Sequence, residues 1–284
     1  MPNVFKRISI ENKISGTLIQ WELERQFFDL APYSFYVYVG RNLTEEFTLL
    51  NSSPIVNSLG AIVSDNTQRL WGKDEQLFYK VKLVTNDGEY WSEPQPTATA
   101  LSRRDWLLGR TISFNEYLWH RKFGGNKGWL LKRKRFGEKC PGKPKPGKPG
   151  QFIPCRDWDT DDVIDSNCPT CLGTGIEGGY YAPIEMYAVI TQRASSSKNR
   201  EPAGTTDQVV IEGRVLAYYS PTTYDVWIDE VSGRRFFVNS IKNLAEIRGV
   251  PLVCGIEMRL APFTDPIYSF DISDLNVTPA FELI

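Results

Sequence analysis

Residues 168–181, CPTCLGTGIEGGYY, set two thiols two residues apart and follow them with Gly-x-Gly and then Gly-Gly. The chemistry that this spacing serves is metal coordination. Two thiolates in a Cys-x-x-Cys turn converge on one cation at about 2.3 Å when the backbone folds tightly. Gly173 and Gly175 can take conformations that aim amides back at the sulfurs. Two sulfurs fill half of a four-ligand site, and the missing pair is Cys140 and Cys155. The PGKPKPGKPGQFIP between them is far longer than an ordinary knuckle, but the run begins Cys-Pro and ends Pro-Cys. It reads as a Pro/Gly/Lys loop inserted into a knuckle whose ends still meet, and loop-closure entropy grows slowly enough with length to allow it. The expected site is a structural zinc held by Cys140, Cys155, Cys168 and Cys171, with Gly178 and Gly179 as a hinge after it. Cys254, in LVCGIEMRL, reads as a small buried apolar residue.

Other constellations lack parts. His120 is the only histidine, and on a helix beside Trp119 it reads as a packing or surface residue rather than a ligand. There is no Gly-x-Ser-x-Gly, no His-Glu-x-x-His and no phosphate loop, so the expectation is that the chain is not an enzyme. Asp157-x-Asp159-x-Asp161 resembles the start of a calcium loop, but no glycine stands at its sixth position and Cys168 replaces the closing acid. A redox Cys-x-x-Cys would need a βαβ surround that is not apparent.

The elements that must position these residues are mostly strands. With 284 residues, 41% apolar and 13% aromatic, the chain expects two or three domains rich in β-structure. Formal net charge is −1, so no global field points to nucleic acid or a membrane. No apolar run approaches the ~20 residues that a bilayer needs, and MPNVFKRISIEN lacks the apolar core of a signal peptide. The chain is read as soluble and made in a reducing cytosol, where clustered cysteines point to metal before disulfides.

Residues 1–100 read as a β-sandwich: ISGTLIQWELE, FYVYVG and FYKVKLVTNDGEYWSEP alternate with period two and are separated by turn signals. Residues 101–137 read as a helix and basic linker, with Ser102 as N-cap and Leu107, Ile112, Phe114, Tyr117, Leu118 and Phe123 on one apolar face. Residues 138–179 form the four-Cys segment. Residues 180–284 carry five strand-like runs, among them the hairpin YDVWIDEVSGRRFFV, and suggest a small barrel followed by a C-terminal arm. Between Arg121 and Lys148 stand eleven Lys/Arg against the single acid Glu138, and an acidic run from Asp157 to Asp165 follows. That juxtaposition fits a nucleic-acid patch, a head-to-tail contact between subunits, or a solvated loop. Its candidate contact residues are Lys132, Arg133, Lys134, Arg135, Lys143, Lys145 and Lys148.

Several stretches resemble known families. Trp21, Tyr79 as a corner tyrosine, and FYKVKLVTNDGEYWSEP resemble a fibronectin type III module, which implies a spacer or docking role over about a third of the chain. CPTCLGTG is similar to the repeat of heat-shock co-chaperones, but that family uses four copies and here there is one. GWLLKRKRFGEKC with CPTCLGTGIEGGYYAPIEMYAVI resembles a zinc-binding segment of structural proteins of tailed bacteriophages. YDVWIDEVSGRRFFVNSIKNLAEIRGVPLVCGIEMRLAPF is similar to the small barrel of phage head-completion or head–tail joining proteins. The resemblance implies a virion neck component, made in the host cytoplasm and assembled as a homo-oligomeric ring. It would meet other virion proteins on the portal or connector side and the tail side, with contact to packaged DNA and no membrane. The alternative is a zinc-containing nucleic-acid-binding protein using segment 121–148.

Overall fold

The computed structural model describes residues 4–14, 16–44, 46–56, 58–63, 77–97, 101–145, 147–148, 150–160, 162–191, 197–201 and 204–272. The chain is mainly β and divides into two interleaved units, Met1–Trp106 with Lys134–Gly179, and Leu107–Arg133 with Tyr180–Ile284. Along the sequence the expected order is instead four segments end to end. The difference arises because pairing partners are far apart along the chain.

The first unit opens with strands β1 (Phe5–Lys13), β2 (Gly16–Leu23), β3 (Ser34–Gly40), β4 (Thr48–Leu49), β5 (Gly60–Val63), β6 (Phe78–Thr85), β7 (Gly88–Trp91) and β8 (Gln95–Pro96). They make two antiparallel sheets, β1-β2-β5 and β4-β3-β6-β7, with β8 added to β6. The period-two reading of β6 holds: Tyr79, Val81 and Leu83 point inward and are buried. Trp21 of one sheet stacks on Phe35 of the other at 4.6 Å, and both are almost wholly buried. Such aromatic pairs fill the ~10 Å space between sheets.

Helix α1 (Arg103–Trp119) is capped by Ser102, whose hydroxyl oxygen accepts from the amide of Asp105. It runs into a π-helical turn, His120–Gly124. The expected apolar face is divided: Tyr117 is buried and Leu118 packs against the barrel core, but other members of it are open. Gly109, Ser113 and Tyr117 are buried, whereas Leu107, Phe114 and Phe123 are exposed. Tyr117 joins the core of the barrel, with Leu118 packed against it.

The barrel itself is closed by six antiparallel strands in the order β12-β15-β18-β17-β16-β9. Strand β9 (Asn126–Leu131) comes from the stretch read as a basic linker. It pairs with β12 on one edge and β16 on the other, so it is the strand that abolishes the edges. In the metal segment, β10 (Lys143–Pro144) and β11 (Phe152–Ile153) make a minimal hairpin. The remaining strands are β12 (Ile184–Thr191), a separate hairpin of β13 (Ser197–Glu201) with β14 (Gly204–Gln208), β15 (Val210–Leu216), β16 (Val226–Asp229), β17 (Arg235–Ile247) and β18 (Val250–Leu260). Alternate residues fill the interior, including Leu130, Met186, Val215, Trp227, Val238, Ile256 and Met258, with Cys254 among them as expected. The expected C-terminal arm lies largely outside the described residues. Among the described residues, no helix is long and apolar enough to cross a membrane.

Candidate metal centre

Segment 134–179 has almost no regular structure, and its loops are tied to one another by backbone hydrogen bonds around four cysteines. The amide of Cys140 donates to the carbonyl of Gly175 at 2.9 Å, and the amide of Glu177 donates to that of Glu138. These bonds run the approach to Cys140 alongside the exit from the Cys-x-x-Cys turn. Cys140-Pro-Gly then leads into the β10–β11 hairpin. Gly142 has φ +87°, and a Cβ there would lie 2.0 Å from the carbonyl oxygen of Ile153, so only glycine permits the close return. Lys143 pairs with Ile153 and Pro144 with Phe152. The chain thereby comes back to Cys155 within reach of Cys140. The Pro/Gly/Lys run is therefore an excursion whose ends meet.

On the other side, the amides of Ile164 and Asp165 donate to the carbonyl of Cys155, and that of Leu172 to the carbonyl of Cys168. Thr174 donates from its hydroxyl to the carbonyl of Cys171 at 2.7 Å. The result is that Cys140, Cys155, Cys168 and Cys171, all buried, bring their sulfurs within 4.8 Å of one another. The Cys140 sulfur lies 3.7 Å from that of Cys155 and 3.8 Å from that of Cys168. A disulfide would need ~2.05 Å, and all of these cysteines are free. The group could hold a metal ion.

Electrostatics separate three of the thiols. Burial pushes Cys140 up to about 11, and it pushes Cys155 up further, helped by the neighbouring thiols. At Cys168 burial also acts against ionisation, but amide bonds from Cys171 and Thr170 and contact with Cys155 outweigh it and bring the thiol down to about 7. Amide donors aimed at sulfur are what a thiolate requires, because they favour the charged form. A cation at the centre would supply compensation for burying four such sulfurs.

This segment is anchored by contacts that its sequence pattern does not announce. Phe136 packs edge-on against Tyr33 and Phe35 of the sandwich at 5.7 and 5.8 Å. Trp158 packs on Phe28 at 5.6 Å, while its carbonyl accepts from Arg25 at 2.8 Å. Lys139 pairs with Asp29 at 2.8 Å. Phe136 and Trp158 were visible as aromatics in polar stretches, which is the one signal that could have marked them.

The proposed basic contact residues do not form one surface. Lys132 is buried in the second unit, where its ammonium pairs with the fully buried Asp225 at 2.8 Å and donates to the carbonyl of Ser220. It is a structural cation, so its assignment to a partner or nucleic acid is corrected. Arg133, half-buried, lies over the Tyr224 ring. Lys134 is half-buried and donates to the carbonyl of Glu177 at 2.9 Å. Lys143 pairs with Asp165 at 2.6 Å, which joins the basic loop to the acidic run within one chain. Arg135, Lys145 and Lys148 are exposed.

Gly178 and Gly179 are not a free hinge. The amide of Gly178 donates to Thr170, that of Gly179 to Ile176, and the Gly179 carbonyl accepts from Lys134. A Cβ on Gly179 would lie 2.7 Å from the carbonyl oxygen of Cys171, so the pair is packed under the knuckle. His120 is buried, with Nε2 3.4 Å from Glu116, and among the described residues it is not part of the sulfur cluster. Asp157 accepts from the amides of Asp159 and Thr160, shaping a turn.

No protein-family model and no curated protein matches the sequence. Among solved structures, titin kinase with its flanking domains aligns at 7% identity and a TM-score of 0.21, over 91% of this chain and 37% of that one. The chain thus spans little more than a third of that structure's length, and a likeness this distant carries no argument about fold or function.

Proposed function

We propose that this chain is a structural component of a tailed-bacteriophage virion, a ring-forming part of the neck, stabilised by one zinc ion. The observation that carries the structural-metal reading is the closed set of four buried sulfurs. All four positions of a tetrahedron are taken by protein, which leaves none for a substrate or an activated water. Soft thiolates in such a set select zinc over harder cations. The metal's role is then mechanical. It organises a 134–179 segment that has only two-residue strands, and binding free energy becomes folding free energy.

The virion reading rests on the resemblance of GWLLKRKRFGEKC, CPTCLGTGIEGGYY and the DVWIDEVSGRRFF hairpin to phage structural proteins. It is supported by a closed small barrel built around that hairpin. The N-terminal sandwich is read as a fibronectin type III-like module with Trp21 in its core. That role is docking or spacing, and the chain is assigned no catalysis. Quantitative mass spectrometry of gradient-purified particles tests the reading. The chain should appear at a fixed, low copy number, and Cys168→Ser should remove it from particles while the sandwich stays folded. A chain absent from particles, or a metal-free Cys168→Ser protein incorporated at wild-type level, would sink it.

A further inference from the structure

We infer that copies of this chain dock head to tail, the acidic loop of one copy's metal segment meeting the outward face of α1 on the next. The inference deepens the assembly reading above and rests on its premise that copies of the chain meet. The first surface is the outward side of α1 and its following turn, which carry Leu107, Phe114 and Phe123 from the expected apolar face together with Leu108 and Trp119. Leu107, Leu108, Phe114, Trp119 and Phe123 are 49%, 55%, 44%, 57% and 74% exposed. At about 100° per residue the helical members of this set fan over the side opposite Gly109, Ser113 and Tyr117. The Trp119 and Phe123 rings lie 5.6 Å apart and form one aromatic slab. Scattered exposed apolar residues are ordinary, but five gathered on one helix and its following turn mark an interaction site. Exposed Lys122 adjoins Phe123 in sequence, and exposed Arg121 adds a second positive charge while donating to the Tyr117 hydroxyl at 2.8 Å.

The second surface has the opposite charge and the same apolar centre. Between Cys155 and Cys168, Val163 and Ile164 are 49% and 51% exposed, with the exposed carboxylates of Asp159 and Asp162 nearby in sequence. The loop is shaped in advance. Ile164 and Asp165 donate their amides to Cys155, a sulfur-cluster residue, and Asp157 holds the turn through Asp159 and Thr160. The metal ligands therefore fix the loop's shape, and pre-organisation lowers the ordering cost of association. Basic-rimmed and acidic-rimmed apolar surfaces on the same chain are complementary, so the committed occupant of each is a second copy. Because the two surfaces differ, the contact is heterologous and propagates into rings or filaments.

The test uses the full metal-bound chain, with sedimentation velocity over a concentration series. The wild type should self-associate, and added salt should weaken it. Arg121→Glu with Lys122→Glu, and separately Asp159→Lys with Asp162→Lys, should each weaken association by roughly tenfold or more. Metal content and near-UV circular dichroism should be unchanged. All four substitutions in one chain should restore association. A wild type that stays monomeric throughout, or reversals that associate like the wild type, overturns the proposal. So does weakening by Trp119→Ala with no effect of the acidic reversal, which would assign the helix to another partner. Particles that still contain the reversed chains at wild-type level would reject this interface while leaving the virion reading intact. Particles lacking the wild-type chain would reject that reading instead.

Discussion

Replacing Cys171 with serine removes one thiolate from the cluster, and the geometry says what should change. In a tetrahedron each edge is roughly 1.63 times the centre-to-vertex distance. The Cys140–Cys155 and Cys140–Cys168 sulfur separations of 3.7 and 3.8 Å match the edges of a tetrahedron with ~2.3 Å from centre to vertex, which is the zinc–thiolate distance. X-ray absorption on the wild-type protein should find one zinc per chain with four sulfur scatterers at about 2.3 Å and no light-atom ligand. In Cys171→Ser the shell should fall to three sulfurs with an oxygen at ~2.0–2.2 Å, or the metal should be lost. Structural zinc contributes on the order of 10 kcal/mol to the fold that binds it. Chelation should consequently expose segment 134–179 to protease and free four thiols for alkylation. The barrel does not hold the ion and should resist. A shell containing nitrogen, a metal-free protein that is equally protease-resistant, or a mass 2 or 4 Da low from disulfides, on the usual two hydrogens per bridge, would refute the reasoning.

Two further outcomes concern the barrel unit. Burial holds His120 below its ordinary range, with the nearby Glu116 carboxylate opposing and Arg214 reinforcing. The unfolded chain takes up a proton near pH 6.5 that the folded chain refuses, so stability should fall as pH drops from about 7, by up to ~1.4 kcal/mol per pH unit. His120→Gln should flatten that component in denaturant titrations at pH 7 and 5, and an unchanged pH slope would contradict it. Lys132→Met leaves Asp225 buried and unpaired, with only the amides of Arg133 and Thr222 and no cation. The expected loss is about 3–5 kcal/mol in denaturant unfolding. A nucleic-acid role for Lys132 would instead leave stability unchanged and lower the salt dependence of DNA binding.

Much of the architecture was legible because it is local. Period-two alternation in FYKVKLVT and the Ser232-Gly233 turn between DVWID and RRFFV report on neighbours a few residues away, and those strands formed as expected. The Cys-Pro boundaries of the long insertion likewise foretold that Cys140 and Cys155 would meet. The KRKR run hid β9: Gly128 is forced by the carbonyl oxygen of Ile228, 2.2 Å from where a Cβ would sit, and that residue lies one hundred positions away. The same run hid the burial of Lys132, because its partner Asp225 is equally remote. Helix α1 misled for a related reason, since its apolar residues look like a core stripe when seen alone.

Residue chemistry by itself determined that four sulfurs were available to hold one ion, and that the chain would be built mostly of strands. Only tertiary packing decided which cations are structural, which helix face remains open and which strand closes the barrel. Each of those depends on a contact between residues far apart in sequence, and a linear pattern carries no record of who the distant neighbour will be.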